Sequence, residues 1–304
     1  MVKIDTEKKS AFVAVVGRPS CGKSTLVNKL CGSKVSIVSA VPQTTRNSIR
    51  GIVNKEKGQL VFVDTPGRHN SEKKLNKKLI DTANRVQNEA DIILYMIDAS
   101  RRPGDEEKEC IAQLPAILLK EKTVIAINKI DKKPLLRGSG EGNIQTFLNE
   151  NLQDVPKNRR FLISGLEGRG VKELLDGIFD LAENGPQYYE SDCYTDQDVS
   201  FRIGEIIRES ATERLREELP HSIFVEIADC ELSGETLNVR AFIRCERESQ
   251  KGMIVGKGGT MIKKIRQASL AELRKIFDWD IVLDLRVKTA LDWRHDDNIL
   301  RKIF

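Results

Sequence analysis

An α/β fold with a mostly parallel sheet and helices on both faces, followed by a smaller α+β domain, is what this sequence predicts. Three observations predict it. From Ala11 to about Glu183, apolar runs suited to buried parallel strands alternate with segments of helical spacing. Residues 184–198 break that alternation, with Gly-Pro, several acids and no periodicity. Beyond them the order changes to helix, strand, strand, helix, helix, strand. At 304 residues the chain exceeds one typical core. The shifts divide it into a tail at 1–10, a first domain at 11–184, a linker at 185–200 and a second domain at 201–304.

Composition excludes several classes. A chain with 31% charged and 39% hydrophobic residues has ordinary soluble composition. No apolar run approaches the length of a membrane span, and the charged start MVKIDTEKKS is unlike a signal peptide. A cytoplasmic location is expected. The six cysteines are scattered without a C-x-x-C pair, so neither a zinc site nor a disulfide framework follows.

The elements follow in order. Residues 11–16 form an apolar strand, and GRPSCGKS (residues 17–24) follows, opening a helix at Lys23. Strand, G-x-x-x-x-G-K-S and helix together make a P-loop. Gly17 and Gly22 let the backbone curl so that N–H groups face phosphate oxygens. Gly17, Arg18, Pro19, Ser20, Cys21, Gly22, Lys23, Ser24 and Thr25 are the expected phosphate cradle. Lys23 reaches the outer phosphates, and the Ser24 hydroxyl suits Mg²⁺. The strand at 60–63 ends in Asp64, opening DTPG (Asp64, Thr65, Pro66, Gly67). A carboxylate at this tip belongs to the metal shell, and Gly67 offers its N–H to a third phosphate. The strand at 124–127 precedes Asn128, Lys129, Ile130 and Asp131. The Asp131 carboxylate matches the paired donors of guanine and mismatches adenine. The Lys129 stem can cover the base. Helical spacing recurs at 75–86, 106–118, 144–148 and 171–181, and the basic stretch 71–78 reads as a solvated helix face.

In the second domain, residues 201–219 are amphipathic and helical, and Pro220 ends them. Strands at 222–227 and 237–243 flank a turn, a helix pair spans 251–277, and a strand covers 281–287. Between the paired helices lies Gly256-Lys257-Gly258-Gly259. Residues 240–266 carry Arg240, Arg244, Arg247, Lys251, Lys257, Lys263, Lys264 and Arg266 against Glu246 and Glu248, in a chain whose net charge is only +5. That concentration suits a phosphate-binding face. Trp279 and Trp293 read as core anchors.

These strings resemble the translation-factor-like GTPases and, within them, the Era family; the resemblance covers nearly the whole chain. It implies a P-loop GTPase domain followed by a type II KH domain. It makes Thr45, in Gln43-Thr44-Thr45-Arg46-Asn47, the second Mg²⁺ hydroxyl ligand, with Thr44 the less favoured candidate. It makes Lys23, Thr45 and Gly67 the catalytic set, and Ser24, Thr45 and Asp64 the metal set. Ser164-Gly165, after the strand at 161–163, resembles the motif whose backbone meets the guanine oxygen, with Gly165 where Ala is usual. Ser20 stands where many relatives carry an Asn linked to bound potassium, so a potassium requirement is not supported. After DTPG, Arg68 replaces the usual apolar residue or Gln. It reads first as a solvated residue and second as a built-in arginine finger, with His69 as base ranked lower. Slow intrinsic hydrolysis follows, within a few decades of ~10⁻⁴ s⁻¹. The GXXG loop would clamp about four nucleotides of single-stranded RNA, with Met253, Ile254, Lys263 and Lys264 lining the groove. The resemblance implies the 3′ end of 16S rRNA as the RNA and small-subunit assembly as the process. It implies no DNA partner and a monomer. Peripheral contact at the inner face of the cell membrane, known of the family, has no segment here to support it. Two other readings stay open: an RNA-binding assembly protein with a non-hydrolysing nucleotide site, and an ATP-using P-loop kinase.

Overall fold

The computed structural model describes residues 8–39, 46–65, 84–114, 120–132 and 143–303. Gln43, Thr44, Thr45, Pro66, Gly67, Arg68, His69 and the basic stretch 71–78 lie outside the described residues, as does most of the helical segment expected at 75–86. The chain divides into two units, the first reaching Asp196 and the second beginning its main run at Gln197.

The first unit is built on a seven-stranded sheet. Its strands are β1 (Lys9–Val16), β2 (Ile49–Lys55), β3 (Gly58–Asp64), β4 (Ile92–Asp98), β5 (Thr123–Asn128), β6 (Arg160–Leu162) and the short β7 (Glu183–Asn184). The order is β2-β3-β1-β4-β5-β6, with β7 pairing beside the start of β1. β3, β1, β4, β5 and β6 run parallel, and β2 is the antiparallel edge. Side chains alternate between faces along each strand. Val13 and Val15 pack toward α1 (Lys23–Cys31) and, later in the chain, the helix at Val171–Leu181, while Ala14 and Val16 pack toward α2 (Asp105–Ala112) and α3 (Ile144–Asn151). The Val171–Leu181 helix is α4. Helices therefore cover both faces, as expected. Each fully buried Val, Leu or Ile side chain contributes roughly 1.5–3 kcal/mol, so a one-residue slip of register would be costly. The buried run of β4 and the edge strand β2 were not among the strands anticipated from sequence.

The segment expected as a linker is hydrogen-bonded to the first unit. Residues 193–195 lie along the open edge of β2. Ile52 N–H donates to the Tyr194 carbonyl at 2.9 Å, Asn54 Nδ2 to that of Cys193 at 3.1 Å, and Thr195 Oγ1 to that of Arg50 at 2.9 Å. Gln59 fastens the same segment from inside. Its Oε1 accepts the N–H groups of Tyr188 (2.8 Å) and Tyr189 (3.0 Å), while Nε2 donates to the Tyr189 carbonyl at 2.9 Å. An edge strand left bare invites pairing with another chain, and this segment covers it.

The second unit opens with α5 (Val199–Thr212), whose first turn is capped by Asp198 accepting the Phe201 N–H at 2.8 Å. The helix expected to reach 219 stops at Thr212; Leu215 turns back into the core and Glu217 adopts a left-handed φ of 54°. β8 (Ile223–Ser233) pairs antiparallel with β9 (Thr236–Cys245), which pairs in parallel with β10 (Asp280–Thr289). Leu237, Val239, Ala241 and Ile243 face the core with residues of α5, α6 (Glu248–Val255) and α7 (Thr260–Leu273). Trp293 is fully buried, and its Nε1 donates to the Ser222 carbonyl at 2.9 Å. Trp279 stacks on Phe277 beside the same core. Both tryptophans anchor the core, as expected.

Replacing Gln59 with Ala should release residues 185–196. Hydrogen exchange at Tyr188 and Tyr189 should accelerate by at least about tenfold, and the melting temperature should fall, since buried partners are left unsatisfied.

Candidate functional site

Parallel pairing brings the C-terminal tips of the strands into one row, with Val15 opposite Asp64, Asp98 opposite Asn128 and Ile127 opposite Leu162. The loops that leave these tips carry the expected motifs, at the place where α/β sheets bind ligands.

Residues 17–22 form the curl between β1 and α1. A Cβ on Gly17 would lie 2.3 Å from the Met96 carbonyl oxygen, so the loop touches the neighbouring strand. Gly22, with φ of 103°, caps α1, and a Cβ there would lie 2.4 Å from Asn128 Nδ2. Lys23 is buried, and its Nζ donates to the carbonyls of Gly17 (2.8 Å) and Arg18 (3.1 Å). That holds an ammonium inside the curl, where the α1 N-terminus adds its own positive end.

Asn128 ties three motifs together. Its Nδ2 donates to the Cys21 carbonyl at 2.9 Å, and its Oδ1 accepts the Gly165 N–H at 2.9 Å. Lys129, with φ of 68°, donates from Nζ to the Ser20 carbonyl (2.6 Å) and to Asp98 Oδ2 (2.7 Å). Ser164 Oγ donates to Asp131 Oδ1 at 2.6 Å, orienting the carboxylate expected to read guanine. The structure thus joins the P-loop, Asn128, Lys129, Asp131, Ser164 and Gly165 into one constellation.

Asp98 escaped the sequence reading, although it ends a buried strand as Asp64 does. Its carboxylate is inaccessible and also accepts from Ser100 N–H (2.9 Å) and Ser100 Oγ (2.6 Å). Burial alone would raise its pKa; the hydrogen bonds from Lys129 and Ser100 outweigh burial and hold it below the ordinary value.

Some expected binders turn away from the cradle. The buried Arg18 side chain lies against α2, with Nε 2.8 Å from Glu107 Oε1, which leaves only its backbone for the expected cradle. Burial pushes the Glu107 pKa up. Thr65 Oγ1 donates to the Val15 carbonyl at 2.8 Å, a strand-to-strand tie. Cys21 is fully buried, and burial raises its thiol pKa, which disfavours the reactive thiolate.

The donor set suits Mg²⁺. Ser24 stands in the first turn of α1, and the buried Asp64 carboxylate accepts Ser36 Oγ at 2.8 Å. Hydroxyl and carboxylate oxygens are the hard donors that Mg²⁺ selects. Thr45, the third expected ligand, lies outside the described residues.

In the second unit, the GXXG loop joins α6 to α7. Gly256, Gly258 and Gly259 have φ of 74°, 61° and 75°. A Cβ on Gly256 would lie 2.8 Å from Met261 Cβ, whereas Gly258 and Gly259 face open space. Lys257, Lys263 and Lys264 are exposed around the loop, as is Met253. Ile254, expected to line the groove, is fully buried together with Ile265; both pack the core beneath it. The basic concentration also splits. Alternation places Arg240 and Arg244 on the opposite face of β9, paired with Asp229 and Glu226, which leaves Lys257, Lys263 and Lys264 beside the loop.

Two outcomes follow. Gly22→Ala should weaken binding of a guanine nucleotide by about tenfold or more, through left-handed strain and the clash with Asn128; equilibrium titration with a fluorescent nucleotide reads it. Asp98→Asn should cost about 2 kcal/mol of stability at neutral pH. Because the folded pKa of Asp98 lies below its ordinary 3.8, its contribution is complete above that value and is lost as pH falls through the lower one. The variant's stability should therefore vary less with pH below about 4, as read by chemical denaturation across that range.

The chain is similar to known proteins along its length. Residues 12–129 match the family model described as 50S ribosome-binding GTPase, and residues 218–294 match the KH domain model. The GTPase Era of Treponema denticola is 51% identical over 97% of this chain and 99% of its own length. That of Treponema pallidum is 41% identical over 100% and 99%. Among solved structures, a point variant of Aquifex aeolicus Era bound to GDP·AlF4⁻ matches with a TM-score of 0.89 and 32% identity, covering 97% of this chain and 98% of that one. Era in complex with MgGDPNP and nucleotides 1506–1542 of 16S ribosomal RNA matches with a TM-score of 0.89 and 32% identity, covering 98% of each chain. A P-loop unit whose strand tips converge on a nucleotide site, followed by a KH unit with an open GXXG loop, and likeness along its full length, place this chain in the GTPase Era family.

Proposed function

We propose that this GTPase controls the grip of its KH unit on single-stranded RNA, and that the RNA is the 3′ end of 16S rRNA during assembly of the small ribosomal subunit. The observation that carries the proposal is the GXXG loop. Gly258 and Gly259 hold left-handed backbone with open space where side chains would stand, so a phosphate backbone can approach closely. The related Era structure with nucleotides 1506–1542 of 16S ribosomal RNA supports the choice of RNA.

The site residues take these roles in our reading. The N–H groups of residues 20–24 and the Lys23 ammonium cradle the phosphates, and Lys23 balances charge that grows on the outer oxygens during hydrolysis. Asp131, held by Ser164, accepts from the paired guanine donors, and the Lys129 stem covers the base. Ser24, Thr45 and Asp64 would hold Mg²⁺, which supplies charge neutralisation when bound. Gly67 offers its N–H to the third phosphate. Intrinsic hydrolysis is slow because DTPG is followed by Arg68 rather than a water-orienting Gln. The protein acts as a monomer in the cytoplasm. Among the described residues no helix is long and apolar enough to cross a membrane.

Ser20 bears on monovalent ions. It holds φ of 60° without the side-chain carbonyl of an Asn. Hydrolysis should therefore respond equally to sodium and potassium. Ser20→Asn, which also suits left-handed backbone better, should create a potassium preference if Ser20 is what withholds it.

RNA affinity measured at one fixed salt concentration should be higher with a non-hydrolysable GTP analogue than with GDP; equal affinities would refute the switch. Lys257→Glu should weaken RNA binding by about tenfold and flatten its salt dependence, while leaving GTP hydrolysis in the absence of RNA unchanged.

A further inference from the structure

The Asp64 carboxylate has a buried partner to which nothing above assigns a part in metal binding. Ser36 lies between α1 and the segment that leads to Thr45. It is 1% exposed, and its Oγ donates to Asp64 Oδ2 at 2.8 Å. Its backbone is clasped by a side chain of α1. Asn28 Oδ1 accepts the N–H of Val35 at 2.9 Å and of Ser36 at 2.8 Å, while Asn28 Nδ2 donates to the Ser36 carbonyl at 2.7 Å. Three bonds from one carboxamide fix the chain on both sides of the Ser36 Cα, which fixes where its hydroxyl begins.

α1 is also the helix that the P-loop opens. One rigid element therefore carries Lys23 and Ser24 at its start and, little more than a turn later, the Asn28 that aims Ser36 at Asp64. We propose that Ser36 is a positioning residue for the metal site. Its hydroxyl, anchored on Oδ2, holds the Asp64 carboxylate in one rotamer and so fixes where that carboxylate meets the metal site. A hydrogen bond to a charged, buried acceptor is worth more than a neutral one. It does so without touching metal or nucleotide, and it reads the placement of α1 into the strand that bears the carboxylate. This inference rests on the GTPase reading of the site.

The test is the release of mant-GDP from the full-length protein, followed by fluorescence from EDTA up to saturating Mg²⁺. In Ser36→Ala the Mg²⁺ concentration at half-effect should rise by about tenfold, while the release rate in EDTA stays at the wild-type value. Ser36→Thr should restore the midpoint. Ser36→Val, which has the shape of Thr without the hydroxyl, should behave as Ala does and carries the comparison if Ala proves too unstable. An unchanged midpoint in Ala and Val overturns the proposal. So does a release rate in EDTA that rises by the same factor, because Ser36 would then only shape the pocket. If wild-type release were indifferent to Mg²⁺, the reading of the whole metal site would fail instead.

Discussion

The carboxamide of Asn128 holds the nucleotide site in one piece. It donates to the P-loop at the Cys21 carbonyl and accepts from the loop after β6 at the Gly165 N–H. The two partners lie 107 and 37 residues away in sequence. Their approach depends on parallel pairing, with Asp98 opposite Asn128 and Ile127 opposite Leu162. The same approach leaves no room for a side chain on Gly22. A buried amide satisfied on both its nitrogen and its oxygen allows few alternatives, because each lost bond leaves a polar group without water.

Much of the remaining site follows from that fixed point. Lys129, next in the chain, is left-handed and reaches back to Ser20 while meeting Asp98. The lysine expected to cover the base is thereby also an ion-pair partner of the neighbouring strand tip. On the far side of the P-loop, α1 repeats the logic through Asn28, Ser36 and Asp64. The residues expected to serve phosphate, base and metal are each referred to a strand tip by one or two short polar contacts. Short polar contacts set the final placement in this layer. The apolar layers beneath, on both faces of the sheet, set the strands.

The motif strings were legible because their chemistry is local: a glycine curl, a lysine and serine opening a helix, a carboxylate at a strand end. The KH topology was legible from its alternation and from GKGG. Partnerships across the sheet were not. Nothing in sequence spacing says that Arg18 turns from the phosphates to Glu107, or that Thr65 ties β3 to β1. Asp98 carried a readable signal, an acid ending a run of six apolar residues, IILYMI. Ile254 looked like a groove residue because helical spacing alone does not tell the two sides of a short helix apart. The stretch at 185–196 read as a linker because its order comes from Gln59 and the edge of β2, more than a hundred residues away.

The clamp at Asn128 is tested most directly by measuring how much the second phosphate adds to binding. The affinities of GMP and GDP are compared in the wild type and in Asn128→Ala. If Asn128 holds the P-loop to the base loops, the variant loses affinity for both nucleotides and the gain from GMP to GDP shrinks by about tenfold or more. If that gain is unchanged and both nucleotides weaken by one common factor, Asn128 serves only the base, and the account of a single clamped site is contradicted.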